Sequence, residues 1–150
     1  MRTLALDLGT KTGWASIGSD GGILYGSALF QPGKFDGGGM RFLRFSRWIE
    51  DMHDACKMER IYFEAVRRHI GVDAAHVYGG FLSHLTAWAE NKQIPYLGVP
   101  VQTIKKFITG KGNANKDEVI DAVKKRGFQV QNDNEADAVA LALYVKCGDK

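Results

Sequence analysis

The chain has 150 residues, of which 45% are apolar and 25% are charged, and its net charge is +3. These values are typical of one ordinary globular domain, so we expect a single domain spanning residues 1–150. No signal-peptide pattern follows Met1 and no apolar stretch is long enough to cross a membrane, which predicts a cytoplasmic protein. The mild positive charge permits a polyanionic partner without identifying one.

Two cysteines, Cys56 and Cys147, are far apart and form no C-x-x-C pair. Both fall within predicted helices. We therefore expect buried, reduced thiols rather than redox chemistry.

The first part of the chain contains three short apolar segments, at residues 3–8, 13–17 and 23–30. Turn-forming residues separate them at 9–12 and 19–22. Short strands joined by tight turns predict an antiparallel meander.

The middle of the chain alternates between helical and strand patterns. After three glycines at 37–39, apolar residues recur at the spacing of one helix face: Phe42, Phe45, Ile49, Met52 and Cys56. Residues 60–66 read as a strand, a second helical stripe follows at Val77, Phe81, Leu85 and Trp88, and residues 94–99 read as a fifth strand.

The last third is predicted to be mainly helical. A short helix over 101–108 precedes a glycine-rich loop at 109–115, and a helix from Lys116 to about Arg126 has Asn115 and Glu118 in capping positions. A final helix over 135–145 follows the capping cluster at 132–134. Three strands followed by alternating strands and helices predict an α/β fold: a five-stranded mixed sheet with helices on both faces.

Three carboxylates stand in apolar surroundings, where ionisation is costly without a cation or donor nearby. Asp7 lies in Leu-Ala-Leu-Asp-Leu, Glu64 lies in Ile-Tyr-Phe-Glu-Ala-Val, and Asp137 lies in the first turn of an apolar helix. A single such residue is usually capped or ion-paired. Three of them on elements that can adjoin predict a metal site.

Mg²⁺ suits such a site because it is a hard cation that takes oxygen ligands and few carboxylates together with substrate phosphate. Metal ions of this kind can activate water and stabilise the leaving oxygen of a phosphodiester. A zinc site is disfavoured because no H-E-x-x-H or paired-cysteine spacing occurs among His53, His69, His76 and His84.

In order, four stretches resemble the motifs of RuvC-type Holliday junction resolvases: DLGTKTGWA at 7–15, YFEAV at 62–66, QTIKKFITGKGNANK at 102–116 and EADAVALAL at 135–143. The resemblance spans nearly the whole chain. It implies an RNase H-like fold, a homodimer, Mg²⁺ or Mn²⁺ dependence, and paired nicking of branched DNA that leaves ligatable 5′-phosphate ends. VYGGFLSHL at 77–85 and the basic triplet at 67–69 look most like bacteriophage or prophage members.

Asp7, Glu64 and Asp137 fall on acidic ligand positions of this family, but the fourth position holds Asn134. An amide oxygen can ligate without charge, which predicts weaker occupancy of one metal. Asp133 lies on the same face of the helix and is the alternative ligand, whereas Glu135 lies roughly opposite. A second departure is Arg67, which stands where the family has an aromatic wedge. We expect Arg67 and Arg68 to bind DNA.

Lysines surround the glycine-rich loop, at positions 105, 106, 111 and 116. A basic loop at a helix N-terminus suits phosphate, so Lys105, Lys106, Lys111 and Lys116 are candidate DNA-binding residues. The resemblance places Lys116 near the scissile phosphate, as a catalytic residue, and Lys105 in DNA binding. A solvated basic face is the alternative for this loop, and it is the usual role of Arg41, Arg44 and Arg47 on the first helix.

The sequence leaves two alternative functions. DLGTKTG also resembles the first phosphate motif of actin-like ATPases and sugar kinases, but 150 residues supply one lobe only, and the P-loop pattern is absent. We therefore expect no nucleotide cofactor. The second alternative is a catalytically weak or silent branched-DNA-binding module of the same fold. For a homodimer, residues 78–81 (Tyr-Gly-Gly-Phe) can form the interface, although core packing explains them equally well.

Overall fold

The computed structural model describes residues 1–69 and 71–149. In chain order its elements are β1 (Thr3–Asp7), β2 (Lys11–Ile17), β3 (Ile23–Leu29), α1 (Met40–Cys56), β4 (Arg60–Ala65), α2 (Val72–Lys92), β5 (Tyr96–Pro100), α3 (Val101–Thr109), α4 (Lys116–Lys125) and α5 (Asp133–Gly148). No helix in these two ranges has the length and apolar character that a membrane span requires.

The strands form one mixed sheet in the order β3-β2-β1-β4-β5. The pairs β1–β2 and β2–β3 are antiparallel, whereas β1–β4 and β4–β5 are parallel. Short turns suffice for the first three strands, and the parallel pairs require the longer crossovers that contain α1 and α2. The predicted meander and the parallel strands after it are both confirmed.

Side chains that alternate along β1 enter two separate cores. Leu4 and Leu6 are fully buried against the layer formed by α1 and α2. Ala5 faces the opposite layer, in which α5 lies on the sheet and α3 and α4 pack beside it. Small residues on this face of the sheet, and alanines along α5, allow the helix to approach the strands closely.

Capping residues fix the starts of the last two helices. Asn115 accepts a hydrogen bond from the Glu118 backbone at 2.9 Å while the Glu118 carboxylate accepts one from the Asn115 backbone, which confirms the predicted capping box. Asn132 accepts from the Glu135 backbone at 2.9 Å, so α5 begins at Asp133 rather than at 135. The acidic residues near this terminus are therefore helical.

The prediction that both cysteines are buried was wrong. Both thiols are free. Cys56, the last residue of α1, is half-buried, and Cys147 is exposed. Helix α5 continues to Gly148, past the predicted end at 145, and its last turn extends beyond the core.

Core packing accounts for most of the segment 78–81. A Cβ atom on Gly80 would lie 2.3 Å from the Phe42 ring, so the glycine permits close contact between α1 and α2, and Phe81 is fully buried. Gly79 faces open space.

Candidate metal centre

Two neighbouring parallel strands bring Asp7 and Glu64 to one edge of the sheet. Leu6 is paired with Phe63, so continuing the register by one residue places Asp7 beside Glu64. Both side chains follow the alternation that turns Leu6 and Phe63 toward α1 and α2, and they therefore face α5. The carboxyl ends of β1 and β4 thus present two acids to the same helix.

The first turns of α5 supply the third acid. One ligand oxygen from each of Asp7, Glu64 and Asp137 lies within 4.8 Å of the other two. The helix reaches this position because its backbone at Asn134 packs directly over Gly13, the residue of β2 that is paired with Asp7. The three carboxylates singled out in the sequence therefore converge, and this group contains no histidine.

The environment of these acids opposes their ionisation. Burial raises the pKa of Asp7 well above its usual value, and the charges of Glu64 and Asp137 raise it further. Burial also raises the pKa of Glu64, against the opposing effect of Lys105. The pKa of Asp137 rises to about 8, mainly through burial and then through Glu64. Protonation of these carboxylates, or binding of a cation between them, relieves their mutual repulsion.

The donor set fits a hard divalent cation. Oxygen ligands of a single Mg²⁺ at about 2.1 Å lie roughly 3.0–4.2 Å from one another. The carboxylate oxygens lie within 4.8 Å of one another, so small side-chain rotations would bring them to ligand distances. Glu64 Oε2 is buried and has no hydrogen-bond partner among the described residues. A buried oxygen that lacks a donor is suited to a metal ion.

The next three residues of interest lie at the start of α5. The Asp133 carboxylate is near enough to raise the pKa of Asp7, Glu64 and Asp137. Asn134 is half-buried, and its backbone makes the contact with Gly13. Glu135 is buried on a different side, where it accepts hydrogen bonds from the Gln131 backbone at 3.1 Å and from Ser27 at 3.4 Å.

Two of the predicted lysines stand beside the carboxylates. Lys105, half-buried on α3, lowers the pKa of Glu64 and of Asp137 by its positive charge. Lys116, on the first turn of α4, acts on Asp137 in the same way, and its Nζ lies 3.4 Å from Asp133 Oδ2. The Lys116 side chain is 80% exposed and remains accessible to a ligand.

The remaining predicted cations lie farther out. Lys106 is exposed on α3, and exposed Lys111 forms an ion pair with Glu118 at 2.5 Å. Arg67 and Arg68 are exposed and follow Glu64 by three and four residues, so they extend from the same edge of the sheet. Among the predicted cations, Lys105 and Lys116 are the ones whose charge acts on the acidic cluster.

Tyr78 contributes a contact that the sequence did not indicate. Its hydroxyl donates to the Glu64 carbonyl at 2.9 Å and accepts from the Val66 backbone at 3.2 Å. These bonds fix the end of β4, where the strand pairing stops. The sequence shows Tyr78 only as an aromatic residue of a predicted helix, beside the apolar stripe, with no signal that its hydroxyl reaches a strand.

Solved structures with this fold include RuvC proteins. The chain is similar to Thermus thermophilus RuvC in complex with a Holliday junction substrate, with a TM-score of 0.81, 19% identity, and coverage of 99% of this chain and 96% of that one. A second T. thermophilus RuvC structure gives a TM-score of 0.77 at 20% identity, covering 99% and 97%. The yeast mitochondrial Holliday junction resolvase Ydc2 gives 0.58 at 19% identity, covering 94% and 75%.

No protein-family model and no curated protein matches the sequence. The structural similarity confirms the predicted fold class, an RNase H-like mixed sheet of five strands with helices on both faces.

Proposed function

We propose that residues 1–150 form one nuclease domain, a divalent-metal-dependent endonuclease that cuts branched DNA. Four-way junctions are the main candidate substrate. The observation that carries this proposal is the convergence of buried Glu64 with half-buried Asp7 and Asp137, with ligand oxygens within 4.8 Å, at one edge of the sheet. Flanking lysines and arginines supply a complementary surface for phosphates. The similarity in fold to RuvC bound to a Holliday junction supports branched DNA as the ligand class.

Asp7, Glu64 and Asp137 would hold Mg²⁺, or Mn²⁺ as a substitute. When bound, the metal supplies activation of a water nucleophile and stabilisation of the leaving oxygen. The fourth ligand is Asp133 or Asn134 at the start of α5. The Asp133 charge acts on all three acids, but its carboxylate lies outside the group of oxygens within 4.8 Å of one another.

The lysines have distinct roles in this proposal. Lys116 pairs with Asp133 at 3.4 Å and is largely exposed, so its ammonium group can turn to a phosphate and stabilise the charge that develops there. Lys105 holds a positive charge beside Glu64 and Asp137 and orients the DNA backbone. Lys106, Lys111, Arg67 and Arg68 contact phosphates farther from the reacting bond.

Paired nicking of a junction requires two active sites, so we propose a homodimer. The first half of α2 offers a surface for it, because Val72 is 70% exposed and Gly79 faces open space. Light scattering at micromolar concentration tests the dimer independently of cleavage. The bacteriophage origin stays an expectation from the sequence motifs.

The decisive experiment uses end-labelled four-way junctions, flaps, forks and linear duplexes with Mg²⁺ or Mn²⁺. We expect cleavage of branched substrates, with 5′-phosphate ends that a ligase can seal. Asp7→Asn should abolish cleavage and retain binding, while the exposed control Asp54→Asn should match the wild type. Binding without cleavage in either metal would instead identify the silent DNA-binding module, for which the uncharged Asn134 is the supporting observation.

A further inference from the structure

The segment between β3 and α1 presents an aromatic side chain to solvent. Phe35 is 93% exposed, the largest exposed fraction among the large apolar residues that the structure describes. It occupies the tip of a turn closed by a hydrogen bond from the Asp36 backbone to the Gly33 carbonyl at 3.1 Å. Burial of a phenylalanine side chain stabilises a fold, and Phe35 makes no such contribution.

Other contacts hold the turn in place. The Asp36 carboxylate accepts a hydrogen bond from the Gly33 backbone at 2.7 Å and forms an ion pair with Arg44 of α1 at 2.8 Å. The backbone around Phe35 is thus fixed from both sides while its ring has no apolar partner. These contacts therefore stabilise a turn conformation in which the Phe35 ring is exposed.

The turn lies at the edge of the sheet that carries the acidic cluster. Strands β3 and β1 are both antiparallel to β2, so their carboxyl ends share an edge. Both ends of the segment are joined to Thr10, three residues after Asp7. The Phe30 backbone donates to the Thr10 carbonyl at 2.6 Å, and the Arg41 guanidinium donates to the Thr10 hydroxyl at 3.0 Å.

One lysine lies beside the ring, and two arginines follow on α1, of which Arg44 is ion-paired with Asp36. Lys34 Nζ lies 5.7 Å from the ring centroid, and Arg41 and Arg44 lie on the first turns of α1. The first turn of this helix contains no acidic residue, and Gly39 caps it without a side-chain hydrogen bond. Backbone N–H groups and cations near an exposed aromatic suit a nucleic acid strand, because they contact phosphates while the ring takes a base.

We propose that Phe35 stacks on an unpaired or unstacked base of the branched DNA, with Lys34 and Arg41 on the adjoining phosphates. The ligand is a nucleobase in a strand that runs from the acidic cluster past Thr10 to the turn 33–36. This inference rests on the proposed function and adds an aromatic contact on the side of the cluster opposite to Arg67. Apolar side chains that enter a base stack also open it.

The test uses a four-way junction with 2-aminopurine at single positions around the crossover, in EDTA or Ca²⁺ so that no strand is cut. Wild-type protein should change the emission at one or more positions. Phe35→Ala should lose that change and bind the junction about 5- to 100-fold more weakly, and Phe35→Trp should restore both. The control is Leu24→Ala, because Leu24 is 69% exposed at the start of β3, at the edge of the sheet opposite to the turn 33–36.

The outcomes separate this inference from the proposed function. If wild-type protein binds and cuts junctions while Phe35→Ala has wild-type affinity and emission, stacking by Phe35 is excluded and the nuclease stands. If wild-type protein binds without cutting, the nuclease proposal fails and the 2-aminopurine comparison still decides the role of Phe35. If it binds no branched DNA, both are overturned. Because Phe35 is exposed, its variants should keep the wild-type melting temperature.

Discussion

The backbone carbonyl oxygen of Asn134 lies 1.9 Å from the position that a Cβ atom on Gly13 would occupy. A side chain there meets backbone rather than a flexible group, so it must displace the first turn of α5. That turn carries Asp133 and leads directly to Asp137. The distance between Asp137 and Asp7 therefore depends on the absence of a side chain at residue 13 of β2.

We expect Gly13→Ala to weaken Mn²⁺ binding about 10-fold or more, because Asp137 moves away from Asp7 and Glu64. Overpacking should also lower the free energy of unfolding by about 1–3 kcal/mol. Isothermal titration with Mn²⁺ and denaturant unfolding measure the two effects. Gly80→Ala is the matched control, since its Cβ would meet the Phe42 ring at 2.3 Å on the other face of the sheet. Equal loss of metal affinity in both variants would show that general destabilisation is the cause.

A second prediction concerns the fourth ligand. Asp133→Asn should weaken Mn²⁺ binding about 10-fold, because it removes a charge that acts on all three acids. Asn134→Ala should change the affinity by less than about 2-fold. Asn134→Asp should bind the metal more tightly than the wild type, because it adds a carboxylate to the same helical turn. The reverse ranking of the first two variants would assign the ligand to Asn134.

The crowding of like charges predicts an unusual response to neutralisation. In EDTA, Asp7→Asn should melt at a higher temperature than the wild type, by about 2–4 °C for each kcal/mol of repulsion removed. Added Mg²⁺ should raise the melting temperature of the wild type and have little effect on this variant. Differential scanning calorimetry with Asp54→Asn as the control measures both. A lower melting temperature for Asp7→Asn in EDTA would mean that this carboxylate stabilises the metal-free fold.

Lys116 and Lys111 are predicted to differ in catalysis. Lys116 lies beside Asp133 at the acidic cluster, whereas Lys111 is paired with Glu118. Lys116→Ala should lower the single-turnover cleavage rate about 100-fold and change junction affinity little. Lys111→Ala should keep the rate within a few fold. A Lys116→Ala protein that cuts normally once it is saturated with DNA would restrict Lys116 to binding.

Arg67 and Arg68 should contribute through phosphate contacts. Replacing either by alanine should reduce the slope of log affinity against log salt concentration by about 0.9, the value for one phosphate contact. Lys57→Ala is the control, because Lys57 is exposed before β4, at the opposite edge of the sheet. Fluorescence anisotropy from 50 to 200 mM salt measures the slopes, and an unchanged slope for Arg67→Ala would remove that residue from the DNA interface.

Much of this structure follows from local patterns in the sequence. Short apolar segments separated by turn-forming residues predict the strands, and the Asn115–Glu118 capping box marks the start of α4 to the residue. The three carboxylates were recognisable because a charge such as Asp7 is costly in an apolar strand. Each of these signals depends on neighbours within a few positions along the chain.

Features that depend on distant contacts were not predictable. The bonds of Tyr78 to the end of β4 span 12 and 14 residues, and the approach of Asn134 to Gly13 joins the second strand to the last helix. The burial of Cys147 was misjudged because a helical pattern does not show where the underlying sheet ends. The exposure of Phe35 likewise depends on a turn whose ion pair with Arg44 has no sequence signature.

The acidic cluster draws one residue each from the first strand, the fourth strand and the last helix. A nascent chain therefore exposes Asp7 and Glu64 long before Asp137 has been synthesised, and a chain with α5 undocked holds only part of the ligand set. The complete ligand set therefore forms only when α5 has packed against the sheet, so metal affinity reports directly on the docking of this helix.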